Sequence, residues 1–296
     1  MAFQARRNTD RLVPTPQPGG SRPIEGADIL RHIARANVSY LVPVGHGVSV
    51  IAGLIKGTKS YEEFYAKYNV NYTRTYVTDY NPNFLFGAGA SYPFTKSLEV
   101  GIYVVSEYQH LSLANNLPSY VAKLEWRASD HLTIFQNLYY GPDQKAESLK
   151  YWRTFSDSTI EWRKADWRVA LSYDVGTEAM AEIKNDPRST WMGAALFTQL
   201  HVAGPWSVAV RPEFYWDPQG RMTQHKQLLW GHTTTLEYKK HLGAYSLTAR
   251  LEHRYDHATG SQAGFFENGF HAPETPRLAS NQHLAILGLI VAFDSI

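Results

Sequence analysis

The chain of 296 residues carries 29 Lys and Arg against 27 Asp and Glu, and 14% of it is aromatic, with 19 Tyr and 8 Trp. Its near-zero net charge gives no support for a nucleic-acid partner, and the absence of cysteine excludes disulfides and cysteine-based metal or redox sites. No window approaches the ~18 consecutive apolar residues of a transmembrane helix, so any passage through a membrane would have to use β-strands.

The first 35 residues differ in composition from the rest of the chain. Residues 1–26 are rich in Pro, Gly, Arg and polar residues and are predicted to be disordered. Residues 27–36 could form a short amphipathic helix or lead directly into a strand. The start has basic residues but no apolar core, so it is not a secretory signal as written; either a signal was removed or the natural chain begins further upstream. We therefore divide the chain into a disordered or partly helical segment 1–35 and a β-barrel domain 36–296.

From about residue 36 the sequence alternates between apolar and polar residues, most clearly over 245–255. One face of that stretch reads Tyr245, Leu247, Ala249, Leu251, His253, Tyr255, and the other reads Ser246, Thr248, Arg250, Glu252, Arg254. A period of two is typical of a strand with one apolar and one polar face. The stretches 205–217 and 151–163 show the same alternation.

The pattern predicts an all-β, transmembrane, antiparallel up-and-down barrel of about 12–14 strands. Thirteen strands are expected near 36–44, 47–56, 83–93, 97–108, 118–127, 131–141, 151–163, 166–176, 190–202, 205–217, 228–240, 244–256 and 283–294. Their connections alternate between short turns and longer loops such as 57–82, 177–189, 218–227 and 257–282. Short periplasmic turns and long extracellular loops are typical of outer-membrane barrels, whereas a soluble sandwich has no reason to segregate loop lengths.

Large aromatic residues stand at both ends of the apolar register. Those next to short turns include Tyr92, Trp126, Trp162, Trp167, Trp206, Tyr238, Tyr245 and Phe293, and those next to long loops include Trp152, Trp216, Trp230 and Tyr255. Residues 152 and 162, 206 and 216, and 245 and 255 are each ten apart, which spans roughly 25 Å along the membrane normal for a tilted strand. We interpret them as two aromatic girdles; the alternative is that they fill the core of a sandwich.

If the apolar register faces lipid, the polar register lines the lumen. The predicted pore-lining residues are Lys123, Glu125, Arg127, Arg153, Asp157, Glu161, Arg168, Asp174, Arg211, Glu213, Glu237, Arg250, Glu252 and Arg254. Charges of both signs along a pore would discriminate between solutes. The alternative is that these charges pair with one another and plug a structural barrel.

The sequence leaves alternatives for the position of the loop 57–82 and for the closure of the barrel. The loop 57–82 is long enough to fold inward and narrow a pore, but it could equally be an exposed surface loop. The first and last predicted strands run in the same direction, whereas bacterial single-chain barrels pair an even number of antiparallel strands. Either one strand is therefore missing or one lies unrecognised in 1–35 or 57–82, and we expect the deficit at the N-terminus, where residues 27–36 could make it up.

The sequence contains no group of residues that indicates catalysis or a cofactor. His253 lies near Ser246 in the sequence but in a different register, so no hydrolytic triad is formed. The twelve His residues are scattered without the carboxylate pairing that is expected of a metal site. We expect no enzyme activity, no cofactor and no metal.

Several predicted strand segments have distinctive sequences. They are TWMGAALFTQLHVAGPWSVAVRPEFYWDPQG (190–220), LLWGHTTTLEYKKH (228–241), LTARLEHRYDHATG (247–260) and LGLIVAFDS (287–295), with NYTR (71–74) and GAGASYPFT (87–95) earlier in the chain. Together these segments resemble the OmpL-like β-barrel porin family. The resemblance covers about residues 36–296 and implies an outer-membrane porin with no defined site to transfer. Members of this family usually have a signal peptide and further strands before the equivalent of residue 36, and this chain departs from them there.

The sequence thus predicts a porin-like channel in a Gram-negative outer membrane for passive diffusion of small hydrophilic solutes. The expected partners are outer-membrane lipid and the solutes themselves, with homo-oligomerisation left open. The alternative is a structural or sheath barrel that holds a protein partner, for example an electron-transfer cytochrome.

Overall fold

The computed structural model describes residues 36–57, 61–63, 65–82, 84–108, 115–260, 264–271 and 275–293. The predicted segment 1–35 lies outside the described residues, and so does any further strand that it could supply.

Thirteen strands form one antiparallel sheet, and each strand pairs with its neighbours in chain order. The strands are β1 Ala36–Val42, β2 Val48–Lys56, β3 Phe84–Pro93, β4 Leu98–Val105, β5 Ser119–Arg127, β6 Leu132–Gly141, β7 Arg153–Lys164, β8 Trp167–Ala179, β9 Arg188–Ala203, β10 Trp206–Asp217, β11 Gln227–Leu242, β12 Tyr245–Ala258 and β15 Asn281–Phe293. This confirms the predicted all-β up-and-down topology and its strand count. With thirteen strands the first and the last run in the same direction, as the sequence predicted.

The connections also alternate in length as predicted. Two-residue turns at 165–166, 204–205 and 243–244 join successive long strands, whereas the connections 57–83 and 106–118 are among the long ones. In each two-residue turn the first residue has a left-handed backbone, with φ of +50° at Ala165, +53° at Gly204 and +64° at Gly243. A left-handed first residue suits the right-handed twist of the two strands that it joins.

One connection was predicted wrongly. The stretch 257–282 was expected to be a single long loop, but it contains a small two-stranded sheet made of β13 Phe265–His271 and β14 Thr275–Ala279. The register between these strands shifts between Phe266 and Phe270. A short irregular hairpin that does not join the main sheet carries no regular alternation from which it could be predicted.

Helical structure in the described residues is short. A five-residue α-helix covers Tyr76–Tyr80, and 3₁₀ turns cover Ala66–Tyr68 and Leu149–Tyr151. Among the described residues, no helix has the length and apolar character needed to cross a membrane.

The chain divides into two compact units. The first comprises the described residues of Met1–Ser60, Asp79–Ile160 and Asp174–Thr190, and the second those of Tyr61–Thr78, Glu161–Tyr173 and Trp191–Ile296. The sites described below lie within one unit or the other.

In the long strands the polar face is buried and the apolar face is exposed, which is the reverse of the arrangement in a soluble protein. In the second half of β10 the buried positions are Arg211, Glu213, Tyr215 and Asp217, and the exposed positions are Pro212, Phe214 and Trp216. In β15 the apolar residues Leu287 and Leu289 are 81% and 69% exposed. The polar face is therefore covered and the apolar face is bare, as expected for strands whose outer surface meets lipid.

Candidate functional site

In the second unit, residues 61–63 and 65–78 pack on the polar face of β10, β11 and β12. Arg211 of β10 is fully buried and donates hydrogen bonds to Glu62 and Glu213, at 3.0 and 3.1 Å, and to the Thr73 carbonyl. The sequence allowed this connection either to fold inward or to be an exposed surface loop. The described residues of the segment lie against the sheet, as the first of these predictions requires.

Arg250 of β12 binds the start of the same segment. Its guanidinium donates to the backbone carbonyls of Ala66, Asn69 and Asn71 at 2.8, 2.6 and 3.1 Å. Its Nε donates to Glu237 of β11 at 2.7 Å, and its Nη2 lies 2.7 Å from the same carboxylate oxygen. The planar fork of an arginine can serve several acceptors at once, which explains why one side chain fixes three carbonyls.

Carboxylates on the strands bind the backbone N–H groups of the segment. Glu252 accepts hydrogen bonds from Tyr72 N at 2.6 Å and Thr73 N at 2.8 Å, one on each carboxylate oxygen. Glu213 accepts one from Tyr76 N at 2.7 Å. Arginines therefore bind the carbonyls of the segment and glutamates bind its amides, so that a buried irregular backbone has polar partners.

Arg254 completes this group of contacts. It bonds to Asp256 at 2.8 Å, donates to the Arg74 carbonyl, and lies 4.9 Å from the centroid of the Tyr76 ring. Glu161 lies elsewhere in the same unit and pairs with Arg168 at 2.6 Å and with Arg163 at 2.8 Å. Arg168 in turn stacks over Tyr61, whose burial raises the pKa of its phenol.

In the first unit another buried arginine, Arg153, stands at the start of β7. Arg153 pairs with Asp143 at 2.6 Å and with Glu178 at 2.9 Å, and its guanidinium lies 4.7 Å from the centroid of the Tyr108 ring. The neighbouring Glu107 is 1% exposed, and neither of its carboxylate oxygens has a hydrogen-bond partner among the described residues. Burial, with a smaller contribution from the Asp143 charge, raises the pKa of Glu107 to about 9.

The remaining predicted pore-lining residues lie on the polar face of the first unit. Asp157 and Asp174 are fully buried, and Asp157 accepts a hydrogen bond from Asn137 at 3.0 Å. Glu125 pairs with the exposed Arg127 at 3.0 Å. Lys123 and Glu125 border a cavity of about 230 Å³ among the side chains of β3 to β6.

The predicted girdle residues lie at strand ends, and most are exposed. Their rings meet across neighbouring strands, with centroids 5.0 Å apart for Trp206 and Tyr238 and 4.8 Å apart for Tyr245 and Phe293. Tyr92 lies 5.0 Å from Phe94, and Trp230 lies 5.2 Å from Tyr255. Exposed rings also belong to Trp126, Trp162, Trp167 and Trp216. The assignment of these rings to membrane interfaces stays a prediction.

Trp152 differs from the other girdle residues. It precedes β7 rather than lying within it, and it is 9% exposed. The ring is covered because it packs against Tyr140 at 4.9 Å and Tyr120 at 6.3 Å, and its Nε1 donates to the Glu147 carbonyl. The predicted strand 151–163 begins two residues before β7, because the alternation of apolar and polar residues extends beyond the start of the strand.

Sequence reasoning missed the partners of the charged residues. Glu62, Asp143 and Glu178 each pair with a buried arginine, yet two of them lie in connections and none was singled out. The carbonyls of the segment carry no sequence signal, because any residue supplies one. Among the described residues, no three His, Cys, Asp or Glu side chains gather where they could hold a metal ion.

Two comparisons with known proteins bear on this arrangement. The model of the family described as "Putative beta-barrel porin-2, OmpL-like" matches residues 11–293. No curated protein matches the chain.

Proposed function

Because the chain belongs to the family of OmpL-like β-barrel porins, we propose that it is an outer-membrane channel through which small hydrophilic solutes diffuse passively. The observation that supports this most directly is the inverted burial of the strands. Charged residues such as Arg211 and Glu252 are buried, while Leu251 and Leu287 are exposed. Lipid favours apolar residues on the outside of a barrel, and a water-filled lumen favours polar residues inside.

In this proposal, width and charge select the solutes and no covalent chemistry takes place. Several of the predicted pore-lining residues then have one of two roles. Arg211, Arg250 and Arg254 hold the segment 61–78 on the polar face, so that it narrows the lumen. Lys123 and Glu125 instead border a cavity, where they would meet the solute. Ordered charges at a constriction discriminate between ions.

One observation favours the second candidate, a structural barrel with a closed lumen. The three buried arginines of the second unit are bound to the segment 61–78 or to carboxylates of the same unit, rather than bordering open space. A barrel that is filled in this way would anchor a partner without passing solutes.

Conductance in planar lipid bilayers separates the two candidates. For the purified full chain we expect stepwise currents in potassium chloride. Replacing residues 62–75 by a short Gly/Ser linker should raise the size of each step, because it removes the segment that narrows the lumen. If neither the wild-type chain nor this variant gives steps, the channel proposal is wrong and the closed barrel is favoured.

A matched control uses a connection that does not pack on the polar face. The exposed residues 182–185 lie between β8 and β9. Replacing them by a Gly/Ser linker should leave the step size unchanged. An equal rise in both variants would show that the change reflects a damaged barrel and not an opened constriction.

A further inference from the structure

Four histidines lie on the apolar face of three neighbouring strands in the second unit. His232 is on β11, His253 and His257 are on β12, and His283 is on β15. They lie near the ends of these strands that adjoin the long connections, since His257 is opposite Asn281, the first residue of β15. Imidazoles thus gather on a face where apolar side chains are the rule.

Two of these histidines are in direct contact. Nε2 of His253 and Nδ1 of His283 lie 3.2 Å apart, and the two rings are stacked with their centroids 5.5 Å apart. Two nitrogens bound to one tetrahedral zinc ion, each at about 2.0–2.1 Å, lie roughly 3.3–3.4 Å from each other. The observed separation therefore fits two nitrogens that share one metal ion.

A hydrogen bond alone gives this contact little value. Both histidines are exposed, so water could satisfy either nitrogen. Exchanging bonds with water for a bond between two side chains contributes little net stability. A metal ion, by contrast, gains from both nitrogens at once.

The backbone fixes the two rings before any ion binds. Every residue of β15 is paired with a residue of β12, so His253 and His283 have a defined register. The His283 ring also packs against Tyr255, its partner across the two strands, with centroids 4.8 Å apart. Ligands that are held in place in this way lose little conformational freedom on binding.

Small residues flank the pair. His253 is opposite Thr234 on β11 and Ala285 on β15. Its charged neighbours along β12, Glu252 and Arg254, are buried on the other face of the sheet. Water can therefore fill the coordination positions that the two imidazoles leave open, as it does at zinc sites with fewer than four protein ligands.

We propose that His253 and His283 bind a divalent transition-metal ion such as Zn²⁺, with water in the remaining coordination positions. Imidazole nitrogen is a ligand for Zn²⁺, Cu²⁺ and Ni²⁺, whereas Ca²⁺ and Mg²⁺ take oxygen ligands. Each neutral ring donates the lone pair of one nitrogen and keeps its hydrogen on the other, which is Nδ1 of His253 and Nε2 of His283. Two neutral rings therefore release no proton on binding.

This site goes beyond the channel proposal and does not depend on it, because the two histidines lie on the apolar face and not on the polar one. The sequence gave no expectation of a metal. The two residues are 30 positions apart, so that their contact arises only from the pairing of β12 with β15.

Isothermal titration calorimetry with zinc chloride tests the site on the purified, folded full chain in detergent, prepared without a polyhistidine tag. We expect zinc to bind. His253→Gln and His283→Gln should each weaken the binding by about tenfold or more, because each leaves a single imidazole at the site. The matched control is His241→Gln, at an exposed residue of β11 beside a short turn, which should bind zinc as the wild type does.

Absence of zinc binding by the wild type would overturn the proposal, and so would wild-type affinity in either His253→Gln or His283→Gln. An excess of calcium chloride should leave zinc in place. Displacement by calcium would indicate oxygen ligands and would also overturn the proposal.

Electron paramagnetic resonance with copper chloride counts the ligands. We expect splitting from two imidazole nitrogens in the wild type and from one in either single variant, and a single nitrogen in the wild type would contradict the paired site. Heat-modifiable migration on a gel shows whether each variant is folded. If neither variant folds, the nitrogen count of the wild type decides by itself.

Discussion

At the level of single residues, the second unit contains buried charged side chains that each contact several partners. Arg211 is fully buried between Glu62 and Glu213 and also bonds to the Thr73 carbonyl. A buried ion pair of this kind is weak evidence of net stability, since desolvation opposes the attraction of the charges. Removing one partner is costly in any case, because it leaves an uncompensated charge in the interior.

We therefore expect Arg211→Met to lower the free energy of unfolding by about 3–5 kcal/mol, since it removes the arginine that two buried carboxylates, Glu62 and Glu213, share. The midpoint of urea unfolding, followed by heat-modifiable migration, measures the change. Arg163→Met is the control, because Arg163 is exposed beside Glu161 and should cost less than about 1 kcal/mol. Equal losses in the two variants would contradict a special role for the buried arginine.

The buried carboxyl of Glu107 makes stability depend on pH. Its pKa is raised to about 9 in the folded chain from an ordinary value of 4.5. Below pH 4.5 the group is protonated in both states, and between those two values only the unfolded chain ionises. The stability that the neutral carboxyl contributes is thus full at low pH and is lost as pH rises toward 9.

Glu107→Gln should remove this dependence, because its amide is neutral at every pH. We expect the variant and the wild type to be equally stable near pH 4, with the variant gaining up to roughly 1.4 kcal/mol per pH unit between about pH 5 and 9. Urea unfolding at pH 4, 6 and 8 measures the difference. For the control Glu147→Gln, at an exposed residue, the stability should differ from that of the wild type by the same amount at every pH. A difference that is likewise independent of pH for Glu107→Gln would argue against a buried neutral carboxyl.

At the scale of elements, the two-residue turns require an unusual backbone. Ala165, Gly204 and Gly243 all have positive φ, yet only two of them are glycine. A Cβ at Gly204 or Gly243 would meet no atom within 4 Å, so conformation rather than space favours glycine in these turns. Alanine pays roughly 1 kcal/mol for a left-handed backbone.

Ala165→Gly should therefore raise the free energy of unfolding by about 1 kcal/mol, and Gly204→Ala should lower it by a similar amount. The same urea titration measures both changes. The two substitutions should change the free energy of unfolding in opposite directions. A change in the same direction would indicate that side-chain contacts, and not the backbone conformation, determine the effect.

At the scale of the whole molecule, the apolar face is matched to lipid. Leu251 lies near the middle of β12, between Leu236 and Leu287 on the neighbouring strands, and all three are exposed. Leu242 is also exposed but ends β11 beside a short turn. The two leucines therefore differ in their expected depth in the membrane.

Leu251→Arg should cost about 2–4 kcal/mol of folding stability in bilayers, whereas Leu242→Arg should cost about 0–1 kcal/mol. Refolding into lipid vesicles at increasing urea gives both values. In detergent micelles without a defined thickness the gap between the variants should shrink. An equal cost in vesicles would contradict the proposed depth of these strands.

The sequence alone predicted the strands, the face of the sheet on which each side chain lies, and the alternation of short and long connections. It could do so because a lipid-facing strand repeats one local rule, apolar outside and polar inside, along its whole length. The residues of β12 show this, since Tyr245 to Tyr255 follow the predicted faces without exception in register with β11 and β15. The same alternation placed the start of β7 two residues too early, so that Trp152 was included, and it did not predict the hairpin of β13 and β14.

Only the tertiary structure decided what lies against the polar face. Arg211 and Glu62 are 149 positions apart in the chain, and the carbonyls bound by Arg250 belong to residues about 180 positions away from it. Such pairs arise because residues 61–63 and 65–78 lie against the polar face of β10 to β12, and no local periodicity indicates this packing. The sequence could therefore place charges on one face, but whether they border a cavity, as Lys123 does, or bind a segment, as Arg211 does, depends on the packing of an irregular connection.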